Sequence, residues 1–382
     1  MRSSFLTLTA FFCALAAAPS LVAEDYFMYV GTYTGQQSKG IYAWRFDATA
    51  GKFTPLGLVA NTPSPSFLAA HPNGRFLYAV NEVSHFQHME RSGSVSAFAI
   101  DPATGKLTLL NNQGSLGDGP CHLALDREGK CLMVANYNNG SVAAFPLAPN
   151  GLINESTSFF QHKGSGADPK RQEGPHAHCM TVTPEGRFVL ASDLGLDEVL
   201  FYRLNAAKAS MVVNEPRFVK VTPGAGPRHL VFHPNGKVAY LINEIQSSIT
   251  TFAYEPDGAV LRELQTVSTL PKDYKGHNDD AEIQVHPSGK FVYGSNRGHD
   301  SIAVFSVDPK SFTLKPVEYV STQGKTPRNF AIDPTGKYLI AENQESNNMV
   351  VFRIDQSTGR LTPTGQVISA FSPVCITFVP VK

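Results

Sequence analysis

The sequence predicts an all-β fold: a seven-bladed β-propeller with four antiparallel strands per blade. Three observations carry that prediction. A hairpin signal recurs six times at a blade-sized period, an outer turn recurs seven times, and each end of the chain is an incomplete blade. The hairpin is clearest in GPRHLVFHPNGKVAYLINE, residues 226–244. Pro234 presets φ at the first corner of its turn, Asn235 tolerates the second, and Gly236 takes the left-handed position that closes the loop. The β-rich runs on either side fold back antiparallel, so Arg228 and Glu244 finish at the same end of the pair.

With His233 as the reference, the equivalent positions are His71, Asp126, Thr183, His286 and Asp333, at intervals of 55, 57, 50, 53 and 47 residues. Three residues later there is always glycine (Gly74, Gly129, Gly186, Gly236, Gly289, Gly336). The next residue is always a cation (Arg75, Lys130, Arg187, Lys237, Lys290, Lys337). Outer turns interleave with these at 46–53, 100–107, 148–151, 254–258, 307–314 and 354–361, with a longer link at 201–215. The opening FMYVGTYT has no inner strand before it, and the closing SPVCITFVP has no blade of its own. The C-terminal strand is therefore expected to complete the first blade, leaving only short, protected sheet edges.

This ring accounts for residues 24–382 as one domain. The polar segment at 161–173, QHKGSGADPKRQE, reads as a long surface loop at a blade junction. Residues 1–23 read as a secretory signal peptide: Arg2, an apolar run from Phe5 to Ala18, then Ala23 before Glu24 and Asp25. The run is short for a bilayer span and no other stretch is long enough, so a periplasmic or secreted protein without a membrane span is expected.

Of 382 residues, 42% are hydrophobic and 17% charged, with Lys+Arg and Asp+Glu equal at 32 each. Balanced charge argues against a nucleic-acid or acidic-membrane partner, and a monomer or weak homodimer is expected. Cys13 leaves with the signal. Cys121, Cys131, Cys179 and Cys375 are widely spaced in strand-like runs and read as free and buried, with no CxxC spacing.

Ten residues after each reference stand Asn81, Asn136, Asp193, Asn243, Asn296 and Asn343, a turn-capping device required by the architecture. The next position varies: Glu82, Tyr137, Leu194, Glu244, Arg297 and Gln344. So does the position five before the reference: Ser66, Cys121, His178, Arg228, Ala281 and Arg328. Both sets lie at one end of the inner hairpins, near the central channel, and a position that varies among blades is free to carry chemistry. The charged and imidazole members gather in successive blades: His178, Arg228 with Glu244, Arg297, then Arg328. Arg228 and Glu244 also read as a structural ion pair. Three guanidiniums around one funnel nonetheless invite a carboxylate or phosphate. His176 and His178 in GPHAH share a strand face, with His122, His229, His277 and His299 in reach of a metal site. The inner ring holds few carboxylates beyond Glu82, Glu244 and Glu282, so no metal is expected.

The stretches QEGPHAHCMTVTPEGRFVLASDLGLDEVLFYRL, GPRHLVFHPNGKVAYLINE, AEIQVHPSGKFVYGSNRGHDSIAVF and TPRNFAIDPTGKYLIAENQ closely resemble the seven-bladed propeller lactonase family. That family includes bacterial propeller-type 6-phosphogluconolactonases and the fungal carboxy-cis,cis-muconate cyclase. The resemblance implies hydrolysis, or reversible formation, of a lactone ring with no obligatory cofactor. It also implies that His178, Arg228, Glu244 and Arg297 are catalytic, with Arg328 a competitor for the last place. His176, Arg328, Glu282 and Glu82 are expected to bind the substrate, an anionic small-molecule lactone. An exported protein would not meet a cytosolic sugar-phosphate lactone, so another sugar or carboxylated lactone fits better. FLYAVNE and FVYGSNR also resemble YVTN-type repeats, which leaves a non-catalytic propeller binding a protein or carbohydrate as the alternative.

Overall fold

The computed structural model describes residues 25–382, so the predicted signal peptide lies outside the described residues. Seven four-stranded antiparallel sheets form the ring. Blade I consists of Asp25–Thr32, Gly40–Asp47 and Lys52–Asn61, and its innermost strand is the C-terminal Pro373–Pro380. Val30 stands opposite Ile376 and Tyr29 opposite Thr377, so the two ends of the chain are joined through one sheet, as expected. Blades II to VII each run outward in chain order, with innermost strands Leu68–Ala70, Pro120–Leu125, Ala177–Val182, Pro227–Phe232, Asp279–Val285 and Pro327–Ile332. The expected long link at 201–215 is instead a tight hairpin: the strands Glu198–Asn205 and Ser210–Lys220 are joined by a single 3₁₀ turn that Asn205 caps.

The second strand of each blade from II to VII, such as Val238–Asn243, is buried on both faces. Outermost strands such as Leu361–Ser369 are largely exposed, with alternate residues half-buried at most beyond Leu361. This pattern places the apolar residues between blades. Phe291, Tyr293 and Val304 of blade VI, for example, pack with Phe330, Leu339 and Val350 of blade VII, and comparable clusters fill the other junctions.

Polar ties repeat alongside. All six hairpin glycines have φ between 69° and 76°, the left-handed region the turn requires. Where the reference residue is histidine it also reaches the next blade. Nε2 of His71, His233 and His286 lies 3.0, 2.9 and 2.9 Å from the carbonyl oxygens of Gly129, Gly289 and Gly336. A Cβ at Gly289 would stand 2.6 Å from that imidazole, so the glycine serves both its own turn and its neighbour's ring. The residues expected to cap local turns reach further than that: Asn136, Asn296 and Asn343 donate to the Ser115, Thr269 and Thr322 carbonyls at the entry to their blades, and Asn243 donates to the Ser248 and Thr250 hydroxyls.

Candidate active site

The innermost hairpins share a local irregularity that builds the site. In blades III, IV, V and VII the register jumps over one residue of the inner strand: Cys121, His178, Arg228 and Arg328. A bulge of this kind leaves one residue unpaired and re-aims its side chain. The bulge residues and the strand-tip residues eleven positions after the reference together form the channel mouth. In blade VI the jump spans two residues, Ala281 and Glu282. Glu282 there sits against His229 and Asn329 rather than at the mouth: its Oε2 lies 3.0 Å from His229 Nδ1 and accepts from Asn329 Nδ2 at 2.8 Å. The expectation that Glu282 lines the substrate pocket is therefore corrected: it belongs to a layer beneath.

Glu244 is the electrostatic centre. Its Oε2 meets Arg228 Nε at 3.0 Å and Arg297 Nη2 at 2.9 Å, and its Oε1 meets Arg171 Nη2 at 2.5 Å. Burial alone would raise the Glu244 carboxyl, but the guanidiniums of Arg297 and Arg228 outweigh it and hold the group well below the usual carboxylate range. Arg228 is itself lowered to about 10 by burial and by Arg328 and Arg297, so it remains a cation at neutral pH. Its Nη1 donates to the Ala281 carbonyl at 2.8 Å. Arg297 also donates to the Asp280 carbonyl at 3.0 Å, which fixes both arginines as clamps on Glu244.

Arg328 differs: among the described residues it forms no ion pair, although its guanidinium lies 5.4 Å from the Tyr33 ring centre and within the fields of Glu82 and Glu244. Glu82 is held by the Tyr33 hydroxyl at 2.9 Å and the Ser66 hydroxyl at 2.5 Å. A small cavity lies among Ser66, Glu82, Cys121, Arg228, His229 and Arg328. The six-blade sequence count missed Tyr33. It is the strand-tip residue of blade I, whose inner hairpin is divided between the two ends of the chain; opposing Thr32 with Pro373, as Asn243 opposes Pro227, reveals the equivalence.

His178 stands between the Tyr137 ring (5.5 Å) and the His229 ring (5.1 Å), both edge-on. Burial, and then the Arg228 charge, holds it well below its usual pKa, so it is neutral at pH 7. Its Nδ1 is buried without a hydrogen-bond partner among the described residues. His176 does not join it at the pocket. It stacks on Tyr137 at 4.6 Å and its Nδ1 lies 2.9 Å from the Tyr137 carbonyl oxygen, so it supports the ring against which His178 rests. His122 is near His229 at 5.2 Å, whereas His277 and His299 pair with Asp279 and Ser301. Among the described residues no group of three or more His, Cys, Asp or Glu is arranged to hold a metal ion. The four described cysteines are free and buried, and burial pushes the Cys121 thiol far up, which argues against a nucleophilic role.

The segment at 161–173 is more than a surface loop. Gln172 is fully buried, with its Nε2 donating to the Leu194 carbonyl and to Asp197 Oδ1, both at 2.7 Å. That anchor delivers Arg171 onto Glu244, a site residue the sequence did not reveal.

Beneath the mouth, burial raises Glu282 to about 8 and Glu342 well above the carboxylate range. Both Glu342 oxygens are buried without a partner among the described residues. A carboxyl kept protonated in the fold, but ionised above about pH 4.3 when unfolded, lowers stability as pH rises between those values. For Glu282 that window runs from about 4.3 to 8; for Glu342 it extends further up. Glu342→Gln is therefore expected to leave the thermal midpoint nearly unchanged at pH 4 and to raise it at pH 8 by several degrees, at roughly 2 °C per kcal/mol for a domain of this size. An equal shift at both pH values would show that Glu342 does not titrate as described.

Comparison with known proteins places this geometry. The family described as "Lactonase, 7-bladed beta-propeller" matches residues 27–378. The 6-phosphogluconolactonase of Bacillus subtilis is 39% identical over 354 residues, covering 93% of this chain and 98% of that protein. The 6-phosphogluconolactonase of Formosa agariphila is 37% identical over 311 residues, covering 80% and 86%. Among solved structures, the periplasmic gluconolactonase of Pseudomonas aeruginosa superposes with a TM-score of 0.88 at 35% identity, covering 94% of this chain and all of that one. With its fold and nearly its whole length matched, this chain belongs to the seven-bladed β-propeller lactonase family.

Proposed function

We propose that the channel mouth opens the ring of an anionic lactone, of a sugar acid or carboxylated type, with His178 as the acid–base group. The observation that carries this reading is one neutral, buried imidazole lying within the field of Arg328, which forms no ion pair among the described residues, beside a carboxylate already held by three other arginines. A lactone is an activated ester, so its hydrolysis needs a positioned water, a base, and a stabiliser for the developing oxyanion. His178 takes a proton from water as the water oxygen bonds to the carbonyl carbon. The carbonyl electron pair moves onto its oxygen, facing Arg328 and the edge of Arg228. As the tetrahedral species collapses, the ring C–O bond breaks and the imidazolium returns the proton to the ring oxygen, giving a hydroxy acid. Glu244 positions Arg228 and balances the imidazolium. Arg297, expected from the resemblance to act on substrate, serves here as a clamp on Glu244, and Glu82 holds Tyr33 against Arg328.

A base that ionises well below its usual value stays competent in mild acid. The acid limb of kcat/KM is accordingly expected below pH 6.5, and a limb at or above 7 would point to a different base. The signal-like pattern of residues 1–23 and the likeness to a periplasmic gluconolactonase support action outside the cytoplasm, on a lactone available there. Among the described residues no helix is long and apolar enough to cross a membrane.

The test is a pH-stat screen of the mature protein against glucono-δ-lactone, 6-phosphoglucono-δ-lactone and muconolactone, with and without chelator. Hydrolysis of at least one, insensitive to chelator, is expected. Inactivity on all three would favour a non-catalytic binding propeller.

A further inference from the structure

We infer that Arg171 is the residue that selects an anionic substituent on the lactone, exchanging its contact with Glu244 for one with the substrate; the inference rests on the reading of the mouth as a lactone site. Three observations converge. Arg171 is the most accessible of the cations on Glu244: its side chain is 35% exposed, against 3% for Arg228 and 14% for Arg297. It alone occupies Oε1, while the two clamps share Oε2. Glu244 therefore remains compensated by its two clamps when Arg171 leaves, and Arg171, with a side chain 35% exposed, is the partner that water can most readily replace. Its second carboxylate contact, Asp279 Oδ1 at 3.3 Å, is longer still.

The backbone under this mobile cation is fixed. Asp168 Oδ1 accepts from the Lys170 and Arg171 amides at 2.8 and 3.2 Å, and Gln172 Oε1 accepts from the Asp168 amide at 2.8 Å. With the buried Gln172 anchor, this holds the Arg171 Cα at the rim and leaves its long side chain to reorient. Such a base lowers the entropy cost of capture. The planar guanidinium suits a phosphate or a carboxylate equally, since both accept it bidentately.

The test compares wild type with Arg171→Met and Arg171→Lys on three substrates: 6-phosphoglucono-δ-lactone, muconolactone and neutral glucono-δ-lactone. Loss of a charge-assisted contact predicts that Arg171→Met raises KM for the matching anionic lactone by about 10- to 100-fold. KM for the neutral lactone and kcat for each are expected to stay within about twofold, and lysine to recover part of the loss. Which anionic lactone responds distinguishes phosphate from carboxylate. An equal loss on neutral and anionic substrates would make Arg171 a support for Glu244 only, and no loss on any would remove it from recognition; either result overturns the inference. Calorimetric titration with 6-phosphogluconate and with muconate separates this from failure of the lactonase reading. If no lactone is opened, weaker binding of either ligand by Arg171→Met still supports the anion contact. Equal binding, or none by wild type, overturns it.

Discussion

Glu244→Ala is expected to cost about 3–5 kcal/mol of stability, the range for removing one partner of a buried ion pair. The Glu244 side chain is only 6% exposed, and its loss leaves Arg228 and Arg297 as adjacent buried cations with no carboxylate between them. At this chain length the thermal midpoint should fall by roughly 6–10 °C, and activity should be lost with it. Glu244→Gln keeps acceptor and shape but not charge, so it should fall between the two. Denaturant unfolding of the three proteins checks the order. A Glu244→Ala variant within about 0.5 kcal/mol of wild type would mean that the carboxylate does not hold the clamps together.

His178→Gln separates chemistry from folding. The imidazole makes edge contacts with Tyr137 and His229, and its Nδ1 bonds to nothing among the described residues, so little of the fold depends on it. Loss of a general base is expected to lower kcat on a responsive lactone by about 10²–10⁴ while the thermal midpoint barely moves. Unchanged turnover would remove His178 from the mechanism. A large drop in thermal midpoint would instead assign it to packing.

The fold was legible because each blade spells its own inner turn: the glycine requirement is local, and an Asn or Asp ends each second strand, where its side chain bonds to groups of the same blade. Of the variable positions beside those landmarks, Arg228 and Glu244 do meet, and His178 lies within the fields of both. Three features were not legible, each for a physical reason. Tyr33 belongs to a hairpin whose strands come from opposite ends of the chain, so no local turn marks it. Arg171 reaches the site through a loop whose path is set by the burial of Gln172, which spacing does not encode. Glu282 drops a layer because the blade VI bulge has two residues where its neighbours have one.

The most direct test is a crystal structure of the protein with the hydroxy-acid product of the anionic lactone it opens. The account predicts the carboxylate formed by ring opening between His178 and Arg328, the second anionic group on Arg171, and Glu244 still clamped by Arg228 and Arg297. A product found elsewhere, such as the apolar cleft between Phe160 and Phe218 at the outer strands, with the channel mouth unchanged, would contradict it.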